Sequence, residues 1–403
     1  MSTTSDTSSV RVVHVVTVPL SLRFISGLLC YLKQRGYAFW VISSPGTHVA
    51  EFSAETEVLT FGIPMPRAIT PLQDLWAVGA IWGRLRQVRP QIVHAGTPKG
   101  GLLGMIAARL AGVPVRIYQM RGLPLLTASG LRRKLLRACE KASCSLAHKV
   151  LCNSESLRQA ALAEGVCSAD KATVIGSGSG QGVDARQRFN PAHSADARRR
   201  LRAEWGLPHD ALALGFVGRI VRDKGIVELA GSWRELREEF PTLHLMVAGD
   251  FESQDPLPPE CVELLRTDPR IHLLGFVTDT ASLYAALDLL VLPTYREGFP
   301  NVLLEAGAME LPVVATDIPG CVDATVDGVT GRLVPPRDTA ALTAALGAYL
   351  RDPALRRTHG LNGRQRVLEH FQQEVVWEGV RSLYRELLIA RGLPVPPEVT
   401  VND

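Results

Sequence analysis

Nine residues, Glu297-Gly-Phe-Pro-Asn-Val-Leu-Leu-Glu305, stand between two apolar stretches of different kinds. Before them, residues 287–292 form a short apolar run stopped by Pro293, the length and composition of a buried strand. After them, residues 302–309 are apolar and alanine-rich, as a buried helix would be. A strand that passes through a tight loop into a helix is the repeating unit of an α/β layer. Eight residues part the two glutamates, a little over two turns at about 100° per residue, so they would share a face only if the helix began at Glu297. Gly298 and Pro300 keep Glu297 in the loop, and Glu305 stands one turn into the helix.

Between the two carboxylates lie the backbone N–H groups of Asn301, Val302 and Leu303. They have no acceptor within the helix and sit at the positive end of its dipole, an arrangement that suits an anion. A carboxylate on either side accepts hydrogen bonds from hydroxyl groups. Phosphate in the middle and polyol at both ends is the chemistry of a nucleotide sugar. The plainer alternative is a buried connection with two solvated glutamates, and Gly-Phe-Pro-Asn inside the loop favours the ligand.

Glu297–Glu305 resembles the signature of the retaining glycosyltransferases of family 4. The following Pro312-Val-Val-Ala-Thr316 and Gly328-Val-Thr-Gly-Arg-Leu-Val-Pro335 are similar to what that family carries next, and a weaker similarity extends over residues 11–390. The resemblance implies an α/β protein of the GT-B fold: two Rossmann-like domains with parallel sheets facing a central cleft, and a C-terminal helix crossing back to the first domain. It implies that Glu297 holds hydroxyls of the donor sugar and Glu305 the ribose, with Gly298, Phe299, Pro300, Asn301, Val302 and Leu303 lining the donor.

A chain of 403 residues with 46% hydrophobic content has room for two cores. The resemblance divides it into a disordered N-terminus (1–10), an acceptor-binding domain (11–190), a nucleotide-sugar-binding domain (191–370), a crossover helix (371–390) and a tail (391–403), with the linker in the Ala/Arg-rich stretch near 185–210. Seven scattered cysteines without Cys-x2-Cys argue for reduced thiols, not a disulfide framework or zinc site, hence a cytoplasmic protein. No secretory signal or membrane-spanning run is present.

The net charge of +4 is unevenly spread. Residues 11–190 carry 22 Lys/Arg against 9 Asp/Glu, and residues 191–403 carry 22 against 30. A basic first half suits a polyanion. No nucleic-acid-binding module occurs there, which leaves anionic phospholipid of the inner membrane as the surface that half would meet.

Residues 10–18 read as a central parallel strand, 25–35 as a helix and 38–43 as a second strand, the opening of a Rossmann pattern. The first turn lacks Gly-x-Gly-x-x-Gly, which weakens an NAD-dependent oxidoreductase. His94 ends the strand 90–94, where ligand sites collect. A hydrogen-bonded structural histidine is the alternative. Family members often carry His-x-His here, with one histidine beside the reaction centre, and this chain has Gly96 at the second position. Thr97-Pro-Lys99-Gly-Gly reads as an anion-binding loop for the acceptor.

Arg121, which opens Arg-Gly-Leu-Pro-Leu-Leu126, is by resemblance an acceptor or membrane residue, and a basic helix follows at 130–141 with Arg132, Arg133, Lys134 and Arg137. That helix is either an amphipathic core element or an interfacial patch resting on anionic lipid, helped by apolar residues 123–126. The glycine run 176–182 reads as flexible backbone, since no helix follows it directly.

In the second half, Gly218-Arg219-Ile-Val-Arg-Asp-Lys224-Gly225 places two cations around a glycine-bounded loop, suited to one diphosphate. Val277 falls where the family's backbone reads the nucleobase. No Asp-x-Asp occurs, so no metal is expected and no cofactor beyond the nucleotide sugar itself. His94, Arg219, Lys224 and Glu297 are the catalytic candidates. The expected reaction moves a sugar, with retention, from a nucleotide diphosphate donor (a UDP-sugar favoured) to a polyprenyl-diphosphate-linked glycan acceptor, on the evidence of residues 16–24, 96–99 and 121–123, which resemble lipid-linked-sugar transferases. A GT-B-like nucleotide-sugar epimerase, the oxidoreductase and a binding protein that has lost catalysis are the alternatives.

Overall fold

The short apolar runs become thirteen strands among the described residues, 9–397, of the computed structural model, and all of their pairings are parallel. They form two sheets. The first holds β1 (Val10–Val15), β2 (Tyr37–Ser43), β3 (Leu59–Gly62), β4 (Ile92–Gly96), β5 (Val115–Met120), β6 (Lys149–Cys152) and β7 (Ala172–Thr173), in the order β3-β2-β1-β4-β5-β6-β7. The second holds β8 (Leu212–Val217), β9 (Leu243–Ala248), β10 (Ile271–Gly275), β11 (Leu289–Leu292), β12 (Val313–Thr316) and β13 (Gly331–Val334), in the order β10-β9-β8-β11-β12-β13. Helices connect the strands, which buries both faces of each sheet. That is why β4 and β11 are apolar or buried at every position and do not alternate.

The chain divides into two units: one runs to Gln181 and takes up the chain again at Glu374, and the other is Gly182–Gln373. The linker expected near 185–210 lies elsewhere. Val183, Ala185 and Phe189 are buried in the second core, so the chain has already joined that unit there. Val183 also donates its N–H to the Phe371 carbonyl at 2.8 Å, which sets the outgoing and returning segments side by side.

In the first unit the alternation along each strand sorts side chains onto two faces. Val13 and Val15 pack with the helices Pro71–Val88, Pro98–Leu110 and Gly130–Leu146. Val10 and Val12 pack beneath the C-terminal helix Gln373–Ile389, which buries Val376, Val380, Leu383, Tyr384, Leu387 and Leu388 at helical spacing. The crossover helix is therefore part of the first core. The expected N-terminal tail at 1–10 lies outside the described residues as far as residue 8, and Val10 already begins β1. Of the C-terminal tail, 398–403 lies outside the described residues. Its described part is docked: Leu393 and Val395 pack on the first core, and Arg385 donates to the Pro396 carbonyl at 2.8 Å.

Each sheet reverses its winding once, between β1 and β4 in the first and between β8 and β11 in the second. Loops leaving the carboxyl ends of adjacent strands diverge at such a point and leave a crevice, the usual ligand position in open parallel sheets. In the second sheet the two loops are 218–225 and 293–300, the two stretches singled out by their glycines and charges.

One buried acid in the first unit sets a pH dependence. Tyr118 of β5 donates to Glu140 Oε2 at 2.8 Å, and burial raises the Glu140 carboxyl from 4.5 to about 7. A raised acid is best accommodated protonated, so its contribution is complete below pH 4.5 and is lost as pH rises through 7. The gap amounts to about 3 kcal/mol. Glu140→Gln therefore raises the melting temperature at pH 8 and changes it little at pH 5. Equal shifts at both pH values in thermal melts would refute this.

Candidate functional site

In the second unit the crevice beside β8 and β11 gathers the expected donor residues into one network. Lys224 Nζ forms an ion pair with Glu297 Oε1, each side chain only 16% exposed. Arg219 Nη1 meets Glu252 Oε2 at 2.9 Å, and its Nη2 lies 3.8 Å from Asp223 Oδ1. Both cations are thus held in place by carboxylates. At 41% side-chain exposure, Arg219 is the more accessible.

Asp223 is the hub that joins the two loops. Its carbonyl accepts from the Tyr295 N–H at 2.8 Å and the Thr294 hydroxyl at 3.2 Å, and its Oδ2 accepts from Arg296 at 2.8 Å. Tyr295 in turn donates to Glu228 at 2.7 Å, on the helix that follows Gly225.

The helix predicted after the loop runs Asn301–Ala308, with Pro300 as N-cap. One expectation is corrected here. The Leu303 N–H is already taken by the Pro300 carbonyl at 3.1 Å, because the helix opens with a tight first turn. Phe299 is buried against Phe371, ring centroids 5.5 Å apart, and so anchors the loop. Gly298 is buried beneath Gly320, where an added methyl would approach the Gly298 carbonyl to 2.8 Å.

Glu305 accepts from the Tyr284 hydroxyl at 3.0 Å, and burial raises its carboxyl above the usual range. Gly218 donates to the Ala248 carbonyl at 2.9 Å, and half-buried Val277 packs on the core just past β10. Glu297, Lys224 and Arg219 are therefore brought together around one pair of loops, with Asn301 and Glu305 on the adjoining helix.

The residues that sequence reasoning missed are Asp223, Arg296, Tyr284, Glu252 and Gly320. Only Asp223 carried a signal, lying between Arg222 and Lys224. The others reach the site from distant parts of the chain.

The first unit departs further from expectation. His94 does not end its strand but lies in the middle of β4, fully buried. Its Nδ1 is 2.7 Å from the Tyr384 hydroxyl, which also lies 3.1 Å from His14 Nε2. Burial, then the charges of His14 and Arg121, push the His94 ring well below its usual range and keep it neutral. This is a core histidine tied to the C-terminal helix.

The Thr97 loop is also closed on itself. Thr97 Oγ1 and Thr17 Oγ1 are 2.6 Å apart, and the Gly100 N–H donates to Thr17 Oγ1 at 2.8 Å. Lys99 is held by Asp74 at 2.7 Å and by the Ala68 carbonyl, so it fastens two helices. Neither residue presents an open anion cradle.

On the basic helix, Arg133 pairs with Glu164 at 2.6 Å and Arg137 donates to the Glu164 carbonyl at 2.9 Å. Arg132 and Lys134 are exposed beside Leu131, which is 82% exposed. Leu123 and Leu125, expected to extend this patch, are buried. The apolar exposure comes instead from the helix Pro71–Val88, where Leu72 is 85% exposed and Leu75 and Trp76 are also uncovered. Among the described residues, no helix is long and apolar enough to cross a membrane.

Two family models match the chain: Glycosyl transferases group 1 over residues 211–352, and Glycosyl transferase 4-like domain over residues 21–178. The capsular polysaccharide biosynthesis glycosyltransferase CapM of Staphylococcus aureus is 33% identical over 94% of this chain and 97% of its own length. An Escherichia coli UDP-Gal:alpha-D-GlcNAc-diphosphoundecaprenol alpha-1,3-galactosyltransferase is 25% identical over 83% of this chain and 86% of its own. Among solved structures, Anabaena HepE in complex with UDP-glucose superposes with a TM-score of 0.77 at 19% identity, over 93% of this chain and 99% of that one.

Proposed function

This chain belongs to the family 4 glycosyltransferases and has their GT-B fold; from that premise we propose that it moves a sugar, with retained anomeric configuration, from a nucleotide diphosphate sugar to a hydroxyl of a lipid-linked glycan in cell-surface polysaccharide synthesis. The observation that carries the donor half of this reading is the Lys224–Glu297 ion pair at the crevice between β8 and β11, with Arg219 beside it. The breaking bond joins the anomeric carbon to a diphosphate oxygen, and negative charge grows on the leaving group. Lys224 and Arg219 meet that charge, aided by the amides at the start of the helix Asn301–Ala308. Glu297 accepts hydrogen bonds from sugar hydroxyls and Glu305 from the ribose. The acceptor hydroxyl attacks on the face the diphosphate leaves, and its proton passes to the departing phosphate oxygen. The two cations provide the counter-charge, and the reading assigns no metal and no protein nucleophile.

The acceptor half rests on relatives. The E. coli galactosyltransferase named above acts, by its name, on a diphosphoundecaprenol-linked sugar, as does a Campylobacter jejuni N-acetylgalactosaminyltransferase that is 24% identical over 75% of this chain. A UDP-sugar is the favoured donor on the same ground. Exposed Leu72, Leu75, Trp76 and Leu131 with Arg132 and Lys134 support peripheral contact with anionic lipid, at about 1 kcal/mol per basic residue near the surface.

The test is an assay of the purified protein with radiolabelled UDP- and GDP-sugars, using bacterial membrane extract as acceptor. Label is expected in the lipid fraction from a UDP-sugar. Tritium exchange or epimerised donor without acceptor labelling would instead indicate an epimerase.

A further inference from the structure

The second unit has a cavity of about 460 Å³ at the amino edge of its sheet, the edge opposite the donor crevice. Leu287 and Asp288 line it just before β11, and Leu311 and Pro312 just before β12. Its floor is apolar: Tyr284, Leu287, Met309 and Leu311 are all buried there. A recess of this size admits a small organic molecule.

The rim is cationic, with Arg198, Arg356 and Arg357 around it. Of the two acids beside them, Asp288 is matched twice over, by Arg198 at 2.7 Å and by Arg202 at 3.1 Å. Arg356 donates Nη1 to the Tyr349 and Leu350 carbonyls, which orients the side chain and leaves its charge unmatched. Arg357 is exposed, and among the described residues neither it nor Arg356 has a carboxylate partner. Two unmatched guanidinium groups at the mouth of an apolar recess suit a phosphate, whose oxygens fit their forked N–H groups. The other acid, Glu310, pairs only loosely with Arg364, at 3.8 Å, and can accept from hydroxyl groups. It takes the left-handed position, φ 61°, that closes the helix Asn301–Ala308 and that helices usually give to glycine.

The floor leads to the donor site. The Tyr284 ring forms part of it, and the Tyr284 hydroxyl donates to Glu305 Oε2 at 3.0 Å. Burial, then the Glu305 charge, push that hydroxyl well above its usual range, so it remains a donor. Met309 and Glu310 directly follow the helix that carries Glu305. A molecule seated in the cavity therefore touches both the residue that holds Glu305 and the end of its helix. We propose that this cavity is an effector site for a small phosphorylated polyol, whose phosphate meets Arg356 and Arg357 and whose hydroxyls meet Glu310, and that Tyr284 transmits its occupancy to Glu305. The site stands on its own residues, and only its effect on nucleotide binding rests on the proposed role of Glu305 at the ribose.

The experiment is calorimetry on the full chain saturated with UDP, which occupies the donor crevice, with sorbitol 6-phosphate, sorbitol and inorganic phosphate as probes. The wild type is expected to bind sorbitol 6-phosphate and not sorbitol. Arg357→Glu, an exposed substitution, is expected to weaken that binding about tenfold, and Arg356→Met with Arg357→Met about 10- to 100-fold. UDP affinity without sorbitol 6-phosphate stays within about twofold in both proteins, since the substitutions are remote from the donor crevice. In the wild type, sorbitol 6-phosphate is expected to change the UDP dissociation constant by about fivefold or more and then level off, and UDP to change the affinity for sorbitol 6-phosphate by the same factor. Tyr284→Phe keeps the phosphate binding and loses the coupling. Inorganic phosphate that binds as tightly as sorbitol 6-phosphate would uphold the arginine site and make free phosphate its ligand. Wild-type protein that binds UDP but neither phosphate probe would overturn the inference and leave the donor reading intact. So would full affinity in Arg357→Glu, or a UDP dissociation constant that climbs with sorbitol 6-phosphate without levelling, the mark of competition in the donor crevice. Coupling that survives in Tyr284→Phe would overturn the part given to Tyr284. Absence of UDP binding would sink the donor reading alone, because the probes can be titrated without it.

Discussion

Lys224→Ala is expected to lower kcat by about two to three orders of magnitude, the effect of removing one preorganised group that meets developing charge. The lysine is positioned before any donor arrives, by its ion pair with Glu297 and by the tight turn Arg222–Lys224 in which it sits. No reorganisation is then needed as charge builds on the leaving diphosphate, which is why a single ammonium has so large an effect. The same substitution strands Glu297, a carboxylate only 16% exposed, and costs about 1–3 kcal/mol of stability. The two consequences can be separated. Lys224→Met combined with Glu297→Gln removes both charges at once, so the melting temperature recovers while turnover does not. Steady-state rates well below the melting temperature, with thermal melts of the single and double variants, provide the check. A single variant that turns over within about threefold of wild type would reduce Lys224 to a structural counter-ion.

The parallel sheets were legible because doubly buried strands have to be apolar throughout, so 10–18 and 287–292 announced themselves. The donor loop was legible for a different reason: glycine and proline at 298 and 300 forbid the helix from starting early, and the structure starts it at Asn301. What stayed hidden were pairings between distant residues. Arg296 and Asp223 are 73 positions apart, and His94 and Tyr384 are 290 apart; nothing local marks either as a partner. His94 looked like an edge residue because its strand begins and ends two residues later than the sequence pattern implied. Exposure was equally opaque. Leu123 and Leu125 are buried while Leu72 and Leu75 face water, because core-facing and surface-facing leucines follow the same helical spacing until a neighbour covers one of them.

Gly225→Ala is expected to destabilise the second unit by about 3 kcal/mol or more and to weaken donor binding with it. The residue has φ 71° and ψ 24°, the left-handed region, which alone costs alanine about 1 kcal/mol. The larger part is steric: a methyl group there would stand 1.9 Å from the Pro293 carbonyl oxygen and 2.5 Å from its carbon. Neither side can yield freely. Pro293 follows directly on β11, and Gly225 is the N-cap of the helix Ile226–Glu239, so relief has to move the turn that carries Lys224 or the loop that carries Glu297. The left-handed and steric parts separate by comparison with Gly206→Ala, where φ is 64° but no atom lies within 4 Å of the added methyl. That variant carries only the backbone penalty and keeps its nucleotide affinity. Melting temperatures and UDP titrations of the two variants decide the matter. Equal losses in both would mean that the contact with Pro293 does not hold the two loops together.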